Sequence, residues 1–281
     1  MRMNDTLLWV ADDLGLNSLS DENILRTCDS GPITQVGILP NGARFQEAIE
    51  DWKQRRDALT VTAHLNVVEG VPLCDSLLAR NNSFRYSFVT LWLSGMMGRR
   101  SKKQAFHDAL KRELSAQLRR VSEAVGGVPF SVDSHQHTHH IPCVRDALLA
   151  VIGDYPVSRV RVAREPWYWS FERGILRRYT INMVKHCLLK LLSHKLDLEL
   201  RRLGIDSHDM FVGLLDSGQM TLRAVKKAVA AGRQSARNQH LRFEILFHPG
   251  YAGSCEQKFS SFYSSKRRLS ELQELTERYV I

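Results

Sequence analysis

The sequence predicts an α/β chain folded as one barrel-like domain, a (β/α) arrangement with about seven parallel strands. Two observations carry this. Strand-like apolar runs recur with helix-like segments between them, and the residues fit for chemistry fall where those runs end. Strand–helix alternation implies a parallel sheet with crossover helices, doubly wound or closed into a barrel. A chain of 281 residues with no Pro/Ser-rich linker and no internal repeat favours a single barrel over two small domains.

Strands are predicted at Thr6–Ala11, Ile33–Leu39, Leu59–Leu65, Val128–Asp133, Val157–Ala163, Met210–Leu215 and Leu241–Phe247, from their short β-branched or aromatic runs. Helices are predicted over 18–30, 43–56, 102–125, 142–153, 174–203, 219–237 and 265–279. Asp12 and Asp13 end the first strand and His64 the third. Asp133, His135 and His137 end the fourth, Asp216 the sixth and His248 the seventh. In parallel α/β folds the C-terminal strand ends share one face, where active sites are built. Carboxylates and imidazoles gathered on one rim read as a metal site.

Composition narrows the partners. Hydrophobic residues at 43% argue against disorder, and no apolar run approaches the length of a membrane span. The N-terminal MRMNDTLLWVADD meets acids too soon for a signal peptide, which predicts a cytoplasmic protein. Five scattered cysteines with no CxxC predict neither a disulfide framework nor a thiolate zinc site. The net charge of +9 is concentrated: 99–120 and 173–203 each carry +6, 221–240 carry +5, and the remainder is net −8. With no zinc-finger spacing, RNA-binding aromatic signature or helix-turn-helix pattern, nucleic acid is not the expected partner.

Four motifs sit on the predicted rim. ADDLGLN (11–17) puts two adjacent carboxylates at a strand end, one able to bind a cation while the other faces substrate; a plain turn or helix cap would look the same. VTAHLNVVEG (61–70) places His64 at a strand end with Asn66 following, and a lone histidine there is more often structural. VDSHQHTHH (132–140) holds four histidines in six residues after an Asp, which packing alone explains poorly. They cannot all bind one ion, and His135, His137 and His139 share a face only if the strand persists. LFHPGYAG (246–253) ends a strand at His248, where an imidazole opposite a carboxylate base suits a general acid.

In this order, ADDLGLN, HLNVVEG, DSHQHTH and HPG resemble the YdjC-like (ChbG/HpnK) family of carbohydrate deacetylases, and ITQVGILPNG (33–42) resembles the family's segment after the second strand. The resemblance runs from residue 7 to about 251. It implies an incomplete TIM-type barrel of the glycoside hydrolase and polysaccharide deacetylase superfamily. It also implies removal of N-acetyl groups from amino sugars with one divalent ion, zinc or magnesium. Carried over by motif, Asp13, His64 and His135 are the metal ligands, Asp12 the base and His248 the acid. The sequence departs from the family at Leu14, where an aromatic is usual, and at Thr62, where Gly is frequent; both bear on pocket shape and so on the sugar accepted.

A cation held by one carboxylate and two imidazoles keeps positions open for water and an amide carbonyl. Asn66, His137, Arg161, Arg164 and Trp167 are the expected substrate contacts, although the two arginines could equally pair with rim acids. The segment 166–204 reads as a basic amphipathic helical insertion opening with PWYWSFERG, whose aromatics would stack on sugar or line a homodimer contact. It is an outer barrel helix with a solvated basic face, or one that rests on the inner face of an anionic membrane and serves a lipid-linked sugar of envelope biosynthesis. A chitooligosaccharide is the competing substrate. A non-catalytic metal-containing sugar-binding barrel would need neither acid nor base, and a glycoside hydrolase would need paired carboxylates across the bond.

Overall fold

The computed structural model describes residues 6–74, 78–169, 176–236, 240–251 and 266–279. The segment 170–175, with Phe171 of the predicted aromatic cluster, lies outside the described residues. Strands β1 (Thr6–Leu14), β2 (Gln35–Ile38), β3 (Thr60–Leu65), β6 (Phe130–Ser134), β7 (Val157–Val160), β8 (Met210–Val212) and β9 (Arg242–Phe247) form one sheet. Its seven strands lie in the order β7-β6-β3-β2-β1-β9-β8, and every pairing is parallel. Read cyclically this order follows the chain, as a barrel requires. The two edge strands also meet: Arg159 forms a parallel bridge with Asp206, Val160 N donates to Asp206 O at 3.0 Å, and Phe211 N donates to Arg164 O at 3.1 Å. Closure between β7 and β8 thus rests on a few bonds, which agrees with the predicted incomplete barrel.

Helices α1 (Ser18–Ser30), α2 (Phe45–Lys53), α4 (Arg100–Ala124), α5 (Pro142–Leu149) and α7 (Leu222–Ser235) return the chain between strands. Asn17 starts α1 by accepting Ser20 N at 2.9 Å. Phe45, Ala48, Ile49 and Trp52 recur at helical spacing and bury one face of α2. Long α6 (Leu176–Arg202) buries Asn182, His186, Leu189, Ser193, Leu196 and Leu200, a stripe of mixed polarity. Helix α8 (Lys266–Thr276) packs beside α1.

The excursion after β3 differs from expectation. It holds a two-stranded hairpin, β4 (Ala79–Arg80) and β5 (Ser83–Phe84), and a helix α3 (Phe88–Met96). Asn81 and Asn82 both take positive φ, 52° and 54°, the requirement of a type I′ hairpin turn. Ser87 and Thr90 form a capping box for α3. A Cβ at Gly95 would lie 2.5 Å from the Cys143 sulfur, so glycine there lets α3 lie flush on the start of α5. Strands β7 and β8 end before the predicted Ala163 and Leu215, because the chain leaves the ladder to build the rim.

Candidate metal centre and active site

The first strand delivers two carboxylates through a break in its own register. Pairing of β1 with β2 shifts between Ala11 and Leu14, and Asp13 takes φ 74°. Such a bulge re-aims side chains next to an active site, and Asp12 and Asp13 are both buried. On β2, a Cβ at Gly37 would sit 2.8 Å from Asp12 Oδ1, so glycine there makes room for that carboxylate.

Asp13 Oδ1 lies 3.4 Å from His64 Nε2 and 3.2 Å from His135 Nδ1. Donors about 2.1 Å from a tetrahedrally held ion stand roughly 3.4 Å apart, so the three converge as ligands do. The other ring nitrogen of His64 donates to Asp133 Oδ1 at 2.7 Å, which leaves the Nε2 lone pair for the ion. Glu69 Oε2 stands 3.5 Å from His135 Nε2. Charge balance points the same way. Around the triad, Asp12, Asp13, Asp133 and Glu244 share the guanidiniums of Arg161 and Arg268, an excess of carboxylate that suits a cation. Burial alone would lower the His64 pKa, but Asp133 and Asp12 outweigh it and hold the ring well above the histidine range. Where an ion is absent, protons take up part of that excess.

Each carboxylate has its own arginine. Arg161 Nη1 and Nη2 grip Asp12 at 2.7 and 3.1 Å, and the same guanidinium pairs with Asp133 and Glu244. A side chain that meets β1, β6 and β9 together lies inside the barrel. Burial would raise the Asp12 pKa; Arg161 outweighs it and holds the carboxyl below its ordinary range. Arg268, from α8, donates to Asp13 Oδ2 at 2.9 Å and to Gly250 O at 3.0 Å. It holds Asp13 well below the carboxylate range against burial. His248 is reached electrostatically by Arg268, Asp13 and Asp12, and burial with Arg268 pushes its pKa down to about 4. Its backbone N–H donates to Glu271 of α8.

The histidine run divides. A 3-10 helix, His135–His140, replaces the continued strand, with Gln136 and His137 at φ 55° and 57°. His135, His137 and His139 therefore do not share a strand face. His139 bridges Ser134 Oγ at 2.6 Å and Arg161 O at 2.9 Å, and His140 Nε2 accepts Ala163 N at 3.1 Å. Both staple the helix to the chain after β7. His137 stands edge-on to Phe211, with ring centroids 5.4 Å apart.

The remaining expected substrate contacts are differently engaged. Asn66 is buried, its Oδ1 accepting Val68 N and Glu69 N while its Nδ2 donates to Glu69 O, so it closes the turn that presents Glu69. Arg161 pairs with rim acids, the alternative that its sequence position left open. Arg164 instead pairs with Asp197 of α6 and donates to Asp209 O and Ser207 Oγ. Trp167 is 40% exposed, its ring 4.4 Å from that of His186. Of the two departures, Leu14 is buried core, and Thr62 accepts a 2.6 Å bond from Gln35 Nε2. Sequence reasoning missed Glu69, Glu244 and Arg268 as parts of the site. Glu69 stood in a quoted motif, whereas Arg268 lies in a basic run, KRRLSELQEL, that reads as a surface helix.

The comparisons give the chain's family and fold relatives. The YdjC-like protein family model matches residues 6–280. A mouse carbohydrate deacetylase is 30% identical, covering 96% of this chain and 87% of its own. A chitooligosaccharide deacetylase of Klebsiella pneumoniae is 25% identical, covering 98% and 92%. A solved Enterococcus faecalis protein shares the fold at TM-score 0.66 and 18% identity, covering 98% of this chain and 92% of its own.

Proposed function

The chain belongs to the YdjC-like family, and on that footing we propose that it is a metal-dependent carbohydrate N-deacetylase acting on an N-acetylated amino sugar. The observation that carries the reading is the adjacency of a convergent donor triad, Asp13, His64 and His135, to a clamped carboxylate, Asp12, that is not needed as a ligand. Mixed nitrogen and oxygen donors favour zinc or another first-row ion over magnesium. When bound, the ion supplies Lewis acidity toward the amide carbonyl and lowers the pKa of water.

The chain's own residues do the rest. Asp12 stays ionised under Arg161 and takes the proton of the attacking water. The water oxygen bonds to the carbonyl carbon, the C–N bond breaks, and acetate and the free amine leave. His248 starts neutral, since its pKa lies at about 4. Negative charge developing at the reacting centre favours uptake of a solvent proton by His248, and the imidazolium so formed gives that proton to the departing nitrogen. Trp167 offers an exposed ring for a sugar face. The names of the relatives support a carbohydrate as substrate, one of them naming a chitooligosaccharide; a lipid-linked sugar is the competing form.

The test is acetate release from a panel of N-acetylated sugars with chelator, then with metal restored. Release that stops with chelator and returns with metal is expected; release indifferent to chelator would sink the metal-dependent mechanism.

A further inference from the structure

Large apolar side chains that remain exposed recur on two helices, α3 and α6, and only on α3 are they a turn or less apart. Along α3, Val89 (62% exposed), Leu93 (48%) and Met96 (60%) recur at i, i+4 and i+7, with Met97 (66%) just beyond. Leu91 points the opposite way and is buried. The outer face of α3 is therefore an apolar stripe in water, the mark of an interaction surface. Its position is fixed by Phe88, which packs against Ala163, Phe211, Leu214 and Leu246 where β7, β8 and β9 end. The stripe thus lies on the mouth side of the barrel.

Charge indicates what covers it. Arg99, Arg100, Lys102 and Lys103 follow the helix directly, and residues 78–107 contain no Asp or Glu. Between α3, α4 and α5 lies a cleft of about 280 Å³ lined by Trp92, Met96, Arg100, Lys103 and His107, with Asp146 at its edge already paired to Arg145. Cations above an apolar wall complement a phosphate headgroup above its acyl chains. The helix in the 166–204 segment, where the sequence had suggested membrane contact, exposes Val184, Leu191 and Leu198 two turns apart, with Lys185, Lys190 and Lys195 between them, so its apolar residues form no continuous stripe. On α6, Arg201 pairs with Asp197, Arg202 with Glu199, and Arg164 also reaches Asp197.

We propose that α3 and the basic turn after it dock the barrel mouth onto an anionic lipid bilayer, so that the enzyme takes an N-acetylated sugar presented at a membrane surface. This rests on the deacetylase reading and specifies where its substrate is met.

The test floats the full chain with vesicles of neutral phosphatidylcholine, and with the same lipid carrying 30% phosphatidylglycerol. The wild type should float with the anionic vesicles alone and be released by raised salt. The variant Arg99→Gln/Arg100→Gln/Lys102→Gln/Lys103→Gln should lose about 600-fold in partitioning, at roughly fivefold per charge near the surface. Leu93→Asp/Met96→Asp should lose at least about tenfold. All three proteins should release acetate equally from a water-soluble N-acetylated oligosaccharide without vesicles. Should the apolar variant fail to fold, the glutamine variant, changed at basic side chains beside α3, decides alone. The proposal is overturned if the wild type ignores anionic vesicles, if the variants float as it does, or if the stripe instead mediates self-association seen as a doubled mass in solution. Loss of acetate release in the wild type would remove the deacetylase reading while leaving the flotation result standing.

Discussion

Asp12 and Asp13 are neighbours in sequence and inhabit different electrostatic regions. Asp12 belongs to the barrel interior, where Arg161 ties it to Asp133 and Glu244 and both of its oxygens are gripped. Asp13 belongs to the mouth, where Arg268 holds one oxygen and leaves the other facing two imidazoles. One bulge and two arginines from different parts of the chain give a repeated residue two environments, on which the two proposed functions rest. Local sequence supplies the pair, and tertiary structure separates the roles.

The widest break in that contrast comes from the metal side. His64→Ala should empty the site and reduce acetate release to background, measured by bound-metal analysis beside the assay. Asp12→Asn should keep its metal and lose about 10³-fold in kcat, the scale of a general base; near-normal turnover would show that Asp12 is not the base. Arg268→Lys should weaken metal binding about 10- to 100-fold, the usual cost of an outer-shell change, with kcat recovering at saturating metal. Glu244→Gln acts on Asp12 only through Arg161 and should lower kcat about tenfold without changing metal content.

The smallest effect concerns acid. Burial pushes the pKa of His139 down to about 3, and burial with Arg268 takes His248 to about 4. Both lie below the unfolded value, so the unfolded chain binds more protons in between. Their contribution is fully present above about pH 6.5 and is lost as pH falls through 4, at about 1.4 kcal/mol per pH unit for each ring. Urea unfolding of the metal-loaded protein at pH 7 and pH 5 should show the loss, and His139→Gln should reduce it.

Much of the rim was legible because chemistry and periodicity coincide there: a strand that ends in a carboxylate or an imidazole announces both a boundary and a site. The seven strands and the placement of Asp12, Asp13, His64, His135 and His248 followed from that coincidence. Where the signals separate, reading fails. FVTLWLSGMM carries apolar residues on more than one face, so it shows no amphipathic period and α3 was missed. Whether the strand persisted through the histidine run stayed open in the sequence, because the left-handed turns at Gln136 and His137 carry no glycine to mark them. Arg268 was invisible because its partner is 255 residues away.

That distance has a consequence for how the enzyme comes to life. The contact between Arg268 and Asp13 joins α8 to β1 across nearly the whole chain, and closing so long a loop is entropically costly and slow relative to local pairing. Once β1 has paired with β9, the Arg268 contact can close, so the proposed metal pocket is expected to form after the strands that surround it. An ion that binds only the finished arrangement stabilises it by mass action, so metal uptake during refolding serves as a clock hand for the final step of assembly.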